Sequence, residues 1–210
     1  HGNMLEDCRD TCRLVRLESP MLTHDEFDRL CAIDRVGFKT QRFVCAYDRD
    51  AAEGALEAAL GELCVDVEQA VRDGVNLVVL TDRTAEGEVP IPSLLSLAAV
   101  HNHLIAVGLR TDADLIVETG DAMRAHDFAC LVGYSASGIY PYAAHECIRD
   151  LCERGEISIP GDEAVANYDR AVTAGITSIM SKMGISTMQG YHSAQIFEIL
   201  GLDDSLVEKY

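Results

Sequence analysis

The sequence predicts an α/β fold in which parallel strands alternate with helices, and three observations support this. Val75–Leu80 is a nearly continuous apolar run, which is typical of a parallel strand buried on both faces. Helical patterns alternate with short apolar runs from Phe43 to Arg154. The predicted loops between them are short, so successive strands are expected to be parallel and joined by right-handed crossovers.

The first elements carry clear local signals. Thr23 and Glu26 form a capping box, which predicts a helix that runs through Leu30, Ile33 and Val36 and ends at Gly37. The segment Phe43-Val44-Cys45-Ala46-Tyr47 is then a plausible first strand.

The second helix is predicted from its apolar spacing. Asp50 and Glu53 mark its start, apolar residues repeat at three and four through Val71, and Gly74 supplies the stop. After the strand Val75–Leu80, Pro92 suits the first turn of a third helix, which is apolar on most sides.

The next elements continue the alternation. They are the strand Leu115–Val117, the helix Ala122–Val132, the strand Gly138–Tyr140 and the helix Tyr142–Arg154. Four parallel strands suit either an open doubly wound sheet or part of a (β/α) barrel. A complete barrel takes about 250 residues, so we expect at most a truncated, barrel-like domain.

The turn-rich stretch 157–162 is a candidate boundary, which divides the chain into a domain at 1–160 and a helical C-terminal segment at 161–210. The predicted C-terminal helices are Val165–Met180, Ala194–Leu200 and one that begins at Asp203-Asp204. A polar connector, Ser181–Thr187, separates the first two and contains Lys182. The last pattern reaches Tyr210 without a stop signal, so the chain is expected to be cut from a longer protein.

Composition excludes several classes of function. The chain has 35 acidic and 17 basic residues and a formal charge of −18, which would repel nucleic acid. It contains no apolar run long enough to span a membrane and no signal-peptide pattern at its N-terminus. We therefore expect a cytoplasmic protein with no membrane partner.

The metal-binding residue types lack metal-binding spacing. The eight cysteines include no C-x-x-C pair and are expected to be free thiols. His101 and His103 lie two apart in a helical pattern, so they point to nearly opposite sides and do not form a metal pair. The sequence also lacks the glycine-rich phosphate-binding motifs and the G-x-S-x-G nucleophile motif. No catalytic, cofactor-binding or metal residue is assigned.

One candidate polar face remains. Asp82, Arg83 and Glu118 follow predicted strands, and the carboxyl ends of parallel strands meet at the edge where α/β enzymes place their active sites. Lys182 is a further candidate, as a phosphate or carboxylate contact. Ion pairs and helix caps are the simpler interpretation of the edge residues, and a solvated connector lysine is that of Lys182.

Several longer blocks together resemble one family, the large (α) subunit of glutamate synthase. The most distinctive is the run Ser181-Lys182-Met183-Gly184-Ile185-Ser186-Thr187, with Ala194-Gln195-Ile196-Phe197-Glu198 after it. Further blocks that follow the family pattern are Ser19–Thr23, Asp82-Arg83, Pro90–Leu95, Gly108–Arg110, Val117–Gly120 and His126–Ala129. The resemblance therefore spans nearly the whole chain.

The resemblance implies a parent enzyme that makes two glutamates from glutamine, 2-oxoglutarate and two electrons. That enzyme uses a cysteine amidotransferase domain, an FMN-binding barrel and an iron–sulfur cluster. By resemblance, residues 1–160 are its central domain and residues 161–210 lead into the FMN-binding synthase domain. The flanking amidotransferase and FMN-binding domains are the implied partners, and no cofactor is expected within this stretch.

Three functional hypotheses follow from the sequence. The first is a non-catalytic inter-domain scaffold of glutamate synthase. The second is a self-sufficient α/β enzyme that uses an edge formed by Asp82, Glu118 and His126. The third is an independent acidic interaction module.

Overall fold

The structure, a computed structural model, describes residues 14–210. The strands are β1 (Thr40–Val44), β2 (Ala46–Asp48), β3 (Leu77–Thr81), β4 (Glu88–Pro90), β5 (Asp114–Glu118) and β6 (Ala136–Tyr140). The helices are α1 (His24–Cys31), α2 (Ala55–Arg72), α3 (Ser93–Ala106), α4 (Ala125–Gly133), α5 (Tyr142–Glu153), α6 (Gly161–Met183), α7 (Met188–Tyr191) and α8 (Asp204–Lys209).

The main sheet confirms the predicted α/β class. It has four parallel strands in the order β1-β3-β5-β6, and a separate antiparallel pair is formed by β2 and β4. Each new strand of the main sheet is added on the same side as the chain advances. This is the winding of a (β/α) barrel rather than of a doubly wound sheet, in which the order reverses.

One face of the main sheet packs against α2, α3 and α4. Val78, Leu80, Leu115 and Val117 point to this face and are almost fully buried. They contact the apolar faces of the three crossover helices and the buried side of α6, and this layer is the main hydrophobic core. Its helical residues include Leu60, Val67, Leu97, Val100, Leu104, Phe128, Val132, Val172 and Ile176.

The opposite face of the sheet is covered by α1. Leu77, Val79, Ile116 and Tyr140 point to this side and form a second apolar cluster with Phe27, Leu30 and Leu22. The rings of Phe27 and Tyr140 stack with centroids 4.8 Å apart. In a closed (β/α) barrel this face lines the interior, so α1 occupies the position of the barrel core.

The segment before α1 extends the β6 edge of the sheet. Met21 forms a parallel bridge with Ile139. Leu22 N donates to the Ile139 carbonyl at 2.8 Å, and Ile139 N donates to the Pro20 carbonyl at 2.7 Å. These bonds hold residues 20–22 against the sheet and place α1 over its face. Residues 1–13 of the predicted N-terminal arm lie outside the described part of the chain.

The predicted capping box of α1 is confirmed, but the predicted end of the helix at Gly37 is wrong. Glu26 N donates to Thr23 Oγ1 at 3.3 Å, and Thr23 N donates to Glu26 Oε2 at 2.9 Å. The helix ends at Cys31, and Val36 is 88% exposed. Beyond Leu30, Ile33 is only partly buried and Val36 is exposed, so little packing is available to extend the helix.

The predicted strand Phe43–Tyr47 is divided into two short strands by a change of partner at Cys45. Cys45 N donates to the Thr81 carbonyl of β3 at 2.8 Å, whereas the Cys45 carbonyl accepts from Ile91 N at 2.9 Å. The chain therefore passes from the main sheet to the β2–β4 pair. The sequence did not predict β4, because a three-residue strand carries too little pattern to detect.

The predictions for the C-terminal segment are only partly correct. Ser181-Lys182-Met183 belongs to α6 and not to a connector, and Gly184 ends that helix in the left-handed conformation, with φ 73°. The predicted helix Ala194–Leu200 is wrong, because Ser193 and Gln195 have φ of 57° and 52° and the segment is irregular. The predicted acidic start of the last helix is confirmed by α8, which Asp203 caps.

The stretch 154–160 between α5 and α6 is irregular, whereas Gly161 and Asp162 of the predicted turn-rich stretch already belong to α6. After it, α6 packs against α4 and α5 and contributes Val172, Ile176 and Met180 to the main core. The six described cysteines are free thiols, whereas Cys8 and Cys12 lie outside the described residues. Within the described part of the chain, no helix is long and apolar enough to span a bilayer.

We expect Phe27→Ala to destabilise the protein by about 3–4 kcal/mol, because it removes a buried ring and leaves a cavity against Tyr140. Urea unfolding followed by circular dichroism measures the change. Val36→Ala is the matched control, in the loop that follows α1. Because Val36 is exposed, this substitution should alter the free energy of unfolding by less than about 0.5 kcal/mol. Equal effects of the two substitutions would contradict the placement of α1.

Candidate functional site

The structure brings three of the four predicted polar-face residues together at the carboxyl edge of the main sheet. In the strand register, Thr81 of β3 is opposite Glu118 of β5, which in turn is opposite Tyr140 of β6. Asp82 and Arg83 directly follow β3, so they lie beside Glu118. Chain direction alone accounts for this convergence, since parallel strands end at one edge.

Glu118 is the centre of this edge cluster, and its side chain is only 3% exposed. Arg83 Nε donates to Glu118 Oε1 at 2.9 Å, and Arg42, on the edge strand β1 two strands away, forms a second ion pair with Oε2. Arg83 also pairs with the exposed Glu146 at 3.0 Å. A buried carboxylate without partners would be very costly, and these two arginines compensate it.

Tyr142, the first residue of α5, completes the cluster. The Arg83 guanidinium lies 3.6 Å above the centre of its ring, a cation–π contact. Burial and the nearby Asp82 carboxylate raise the pKa of the Tyr142 phenol to about 12. The hydroxyl would lie 2.8 Å from a Cβ at position 120, so Gly120 gives Tyr142 the room it needs. The phenol is therefore protonated at neutral pH.

Asp82 and Asp121 organise the loop after β5. Asp82 Oδ2 accepts from Thr119 Oγ1 and from Gly120 N, both at 2.7 Å. Asp121 Oδ2 accepts from Ser93 N at 3.0 Å, and its Oδ1 accepts from Ser93 Oγ at 2.6 Å. The Asp121 bonds satisfy donors at the start of α3, which lacks a capping side chain at Pro92. The carboxylates thus act as loop and helix caps.

Lys182 and His126 do not join the edge cluster. Lys182 lies in the last turn of α6 with an exposed side chain. His126 lies on the exposed side of α4, where its ring contacts Phe197 edge-on and its Nε2 is 3.6 Å from Cys130 Sγ. The edge proposed for a self-sufficient enzyme, Asp82 with Glu118 and His126, is therefore not assembled.

A second polar network, which the sequence did not predict, lies around His101 of α3. Arg110 Nε donates to His101 Nδ1 at 2.8 Å, and His101 Nε2 is 2.9 Å from Ser193 Oγ. Ser193 Oγ is in turn 2.8 Å from Ser135 Oγ. Arg110 also donates to the carbonyls of Ala113 and Ser135. The network ties the irregular segment after α7 to the body of the domain.

The hydrogen-bond pattern around His101 excludes nucleophilic catalysis by Ser193. Arginine can only donate, so His101 Nδ1 must accept and the neutral ring carries its proton on Nε2. Nε2 therefore donates to Ser193 Oγ, whereas a general base would have to accept the serine proton at that nitrogen. The arrangement is a structural tether with the wrong tautomer for a catalytic triad.

Burial and the Arg110 charge lower the pKa of His101 to about 4, so the ring is neutral at physiological pH. Burial also lowers the pKa of the neighbouring His192. The other internal histidines pair with carboxylates: His103 with Glu68 at 2.7 Å, and His145 with Asp169 at 2.8 Å. Among the described residues, no group of three or more histidine, cysteine or acidic side chains is placed to hold a metal ion.

Comparison with known proteins identifies one family. The family model for the glutamate synthase central domain matches residues 1–203. The glutamate synthase [NADPH] large chain of Bacillus subtilis is 37% identical over 210 residues, which are 100% of this chain and 14% of that protein. The ferredoxin-dependent glutamate synthase 2 of Synechocystis is 41% identical over 222 residues, 99% of this chain and 14% of that protein.

The chain thus spans about a seventh of the length of these relatives. Among solved structures, a flavocytochrome b2 mutant is 17% identical with a TM-score of 0.49, covering 90% of this chain and 44% of that chain. DHODH from Eimeria tenella, in complex with ferulenol, is 13% identical with a TM-score of 0.47, and the match covers 76% of this chain and 38% of that chain. Both TM-scores lie below 0.5.

We expect Glu118→Gln to lower the free energy of unfolding by about 1–3 kcal/mol, because it leaves Arg42 and Arg83 without their shared counter-ion. Both arginines are partly exposed, and hydration limits the loss. Glu146→Gln removes an exposed partner of the same arginine and should cost less than about 0.5 kcal/mol. The free energy of unfolding of both variants, measured by urea titration, compares the buried Glu118 ion pairs with the exposed Arg83–Glu146 pair.

Stability should fall as the pH drops from about 6.5 towards 4. The pKa of His101 is lower in the folded state, at about 4, than its ordinary value of 6.5, so the unfolded chain binds the extra proton first. The contribution amounts to about 2–3 kcal/mol. His101→Gln should flatten the difference in unfolding free energy between pH 7 and pH 4.5. Identical pH profiles for wild type and His101→Gln would contradict this assignment.

Proposed function

Because the chain belongs to the glutamate synthase central domain family, we propose that it is a non-catalytic scaffold inside a glutamate synthase large chain. It would join an amidotransferase domain to an FMN-binding synthase domain. The observation that carries the proposal is that α1 covers the sheet face which lines the interior of a closed (β/α) barrel. That face packs Leu77, Val79, Ile116 and Tyr140 against Phe27 and Leu30.

The whole enzyme would make two glutamates from glutamine and 2-oxoglutarate, with electrons passing through FMN and an iron–sulfur cluster. This activity belongs to regions beyond the 210 residues. The relatives support such a division, since the chain corresponds to only 10–14% of their length. Within it, we assign residues 1–160 to the central domain and residues 161–210 to the lead-in towards the synthase domain.

The residues that the structure describes do not fit either cofactor of the parent enzyme. The arginines at the carboxyl edge of the sheet, which could bind a flavin phosphate, are engaged by Glu118. The described cysteines are dispersed, with Cys45 and Cys64 buried in the core and Cys31 and Cys147 exposed on other elements. A cluster needs several cysteine thiolates at one place, so we assign FMN and the iron–sulfur cluster to the neighbouring domains.

The edge cluster supports a structural role for the polar face. Glu118, Asp82 and Asp121 accept hydrogen bonds from Arg83, Thr119 and Ser93, respectively. The Tyr142 phenol is protonated at neutral pH. These contacts support a structural role for the edge rather than general acid–base catalysis. Asp82, Arg83 and Glu118 fix the loops at this edge, and Lys182 lies at the end of α6, towards the following domain in the sequence.

The purified 210-residue chain should be colourless, because its sheet offers no place for a flavin ring. An absorbance spectrum taken after incubation with excess FMN and gel filtration tests this, with the full-length enzyme treated in the same way as the positive control. A flavin spectrum that co-elutes with the short chain would overturn the scaffold proposal. Turnover of glutamine or 2-oxoglutarate by the short chain alone would do so as well.

A further inference from the structure

The two edges of the main sheet differ in what lies beside them. At the β6 edge, residues 20–22 run along the strand and bond to both the N–H and the carbonyl of Ile139. At the opposite edge, β1 pairs with β3 on one side, and on its other side it pairs with no strand of the described residues. The chain therefore covers one edge of the sheet itself and leaves the other uncovered.

The hydrogen bonds between β1 and β3 show which backbone groups of β1 are used. The Lys39 carbonyl accepts from Leu77 N at 3.1 Å, and Cys45 N donates to the Thr81 carbonyl at 2.8 Å. In a parallel ladder, every second residue of a strand bonds to the same neighbour. The odd-numbered residues from 39 to 45 therefore bond to β3.

The even-numbered residues of β1 direct their backbone groups away from β3. They are Thr40, Arg42 and Val44, and within the described part of the chain no hydrogen bond reaches their N–H or carbonyl groups. The side chains of Arg42 and Val44 are exposed. We call this row of unpaired backbone groups the open edge. Such a row is a template for pairing with another strand.

The open edge lacks the features that usually protect an edge strand from pairing. Proteins protect such strands with proline, with bulges or with charged side chains along the edge. Here β1 contains no proline, and its register with β3 is uninterrupted over all five residues. Its one charged side chain, Arg42, forms an ion pair with Glu118 inside the domain, and Val44 is 53% exposed. These features favour the addition of a strand.

Local charge selects the kind of strand. The stretch 35–47 contains Arg35, Lys39 and Arg42 and no acidic residue, although the whole chain has a formal charge of −18. Lys39 Nζ donates to the Asp73 carbonyl at 3.2 Å and so keeps its charge uncompensated by that contact. A basic edge favours an acidic partner. Pairing of β1 with β1 of a second copy would bring these bases close to their own counterparts and is disfavoured.

We propose that the open edge of β1 is the docking site for an extended, acidic segment from another domain of the same polypeptide, which adds to the main sheet as a further strand. Main-chain hydrogen bonds would hold the segment, as in other cases of strand addition. This inference rests on the proposed scaffold function and names one of its contact surfaces. Relatives contain this domain as 10–14% of a much longer chain, so the other domains are tethered close to it.

Amide hydrogen exchange at single-residue resolution in the full-length enzyme tests the proposal. A bare edge predicts alternation, with slow exchange at Gln41 and Phe43 and fast exchange at Thr40, Arg42 and Val44. An added strand protects the second set as well, so these three amides should exchange at least about tenfold more slowly than unpaired amides. Fast exchange at Arg42, in the centre of the strand, would overturn the docking site.

A matched pair of variants separates strand addition from burial of another kind. Val44→Pro removes one outward N–H, and proline is tolerated in an edge strand where its nitrogen faces away from the ladder. In the full-length enzyme it should accelerate exchange at Thr40 and Arg42 at least about tenfold. Gln41 and Phe43 should remain slow, because the ladder to β3 is intact. Val44→Thr keeps the N–H and should match wild type, and equal exchange at Arg42 in the two variants would contradict the proposal.

Photo-cross-linking identifies the segment on the open edge. The side chain of Gln41 is exposed on β1, so benzoylphenylalanine incorporated at position 41 of the full-length enzyme lies beside any added strand. We expect a cross-link within one polypeptide, to an acidic, extended segment of another domain. A cross-link to a second copy or to a separate protein would overturn the proposed occupant, as would the absence of any cross-link.

Failure of this inference is distinguishable from failure of the scaffold proposal. If the open edge exchanges fast while cross-linkers elsewhere on the chain reach neighbouring domains, the scaffold stands and the docking site does not. Flavin bound by the 210-residue chain contradicts the scaffold itself, whatever the open edge contacts.

Discussion

The structure depends on one constraint, which is that the main parallel sheet is apolar on both faces and both faces must be buried. Val78 and Leu80 point one way, and Leu77 and Val79 point the other. The crossover helices cover the first face, as the winding of the chain requires. The second face has no crossover helix, and in a closed barrel the remaining strands would enclose it. Here α1 covers it, with Phe27 stacked on Tyr140.

Burial of the sheet also sets the chemistry of its carboxyl edge. Glu118 is the last residue of β5, and because the strand is buried the carboxylate is buried with it. The energetic cost of an uncompensated charge accounts for Arg42 and Arg83 on either side. The positive charges of Arg42 and Arg83 are therefore neutralised by Glu118 inside the domain. This is the physical basis for regarding the edge as structural, although its residue types and its position are those of an α/β active site.

The C-terminal segment shows how tertiary contacts override local pattern. Ala194–Leu200 has a helical apolar spacing, yet Ser193 and Gln195 adopt positive φ. Hydrogen bonds of Ser193 to His101, to Ser135 and to the Gly133 carbonyl hold the backbone there. Such conformations cost of order 1–3 kcal/mol for residues other than glycine and persist only where surrounding contacts compensate. Those contacts come from residues about 60 and 90 positions away, so the local sequence does not encode them.

The sequence by itself determined the α/β class, the strand–helix alternation, the capping box of α1 and the family resemblance. Each of these features follows from periodicity, capping chemistry or contiguous motifs, all of which involve residues close together along the chain. Only the tertiary structure decided that α1 covers the interior face and that Cys45 marks a change of sheet. It also decided that Arg42 joins Glu118 and that His101 tethers Ser193. These depend on which distant residues meet when the core is packed, and no short stretch of sequence specifies that.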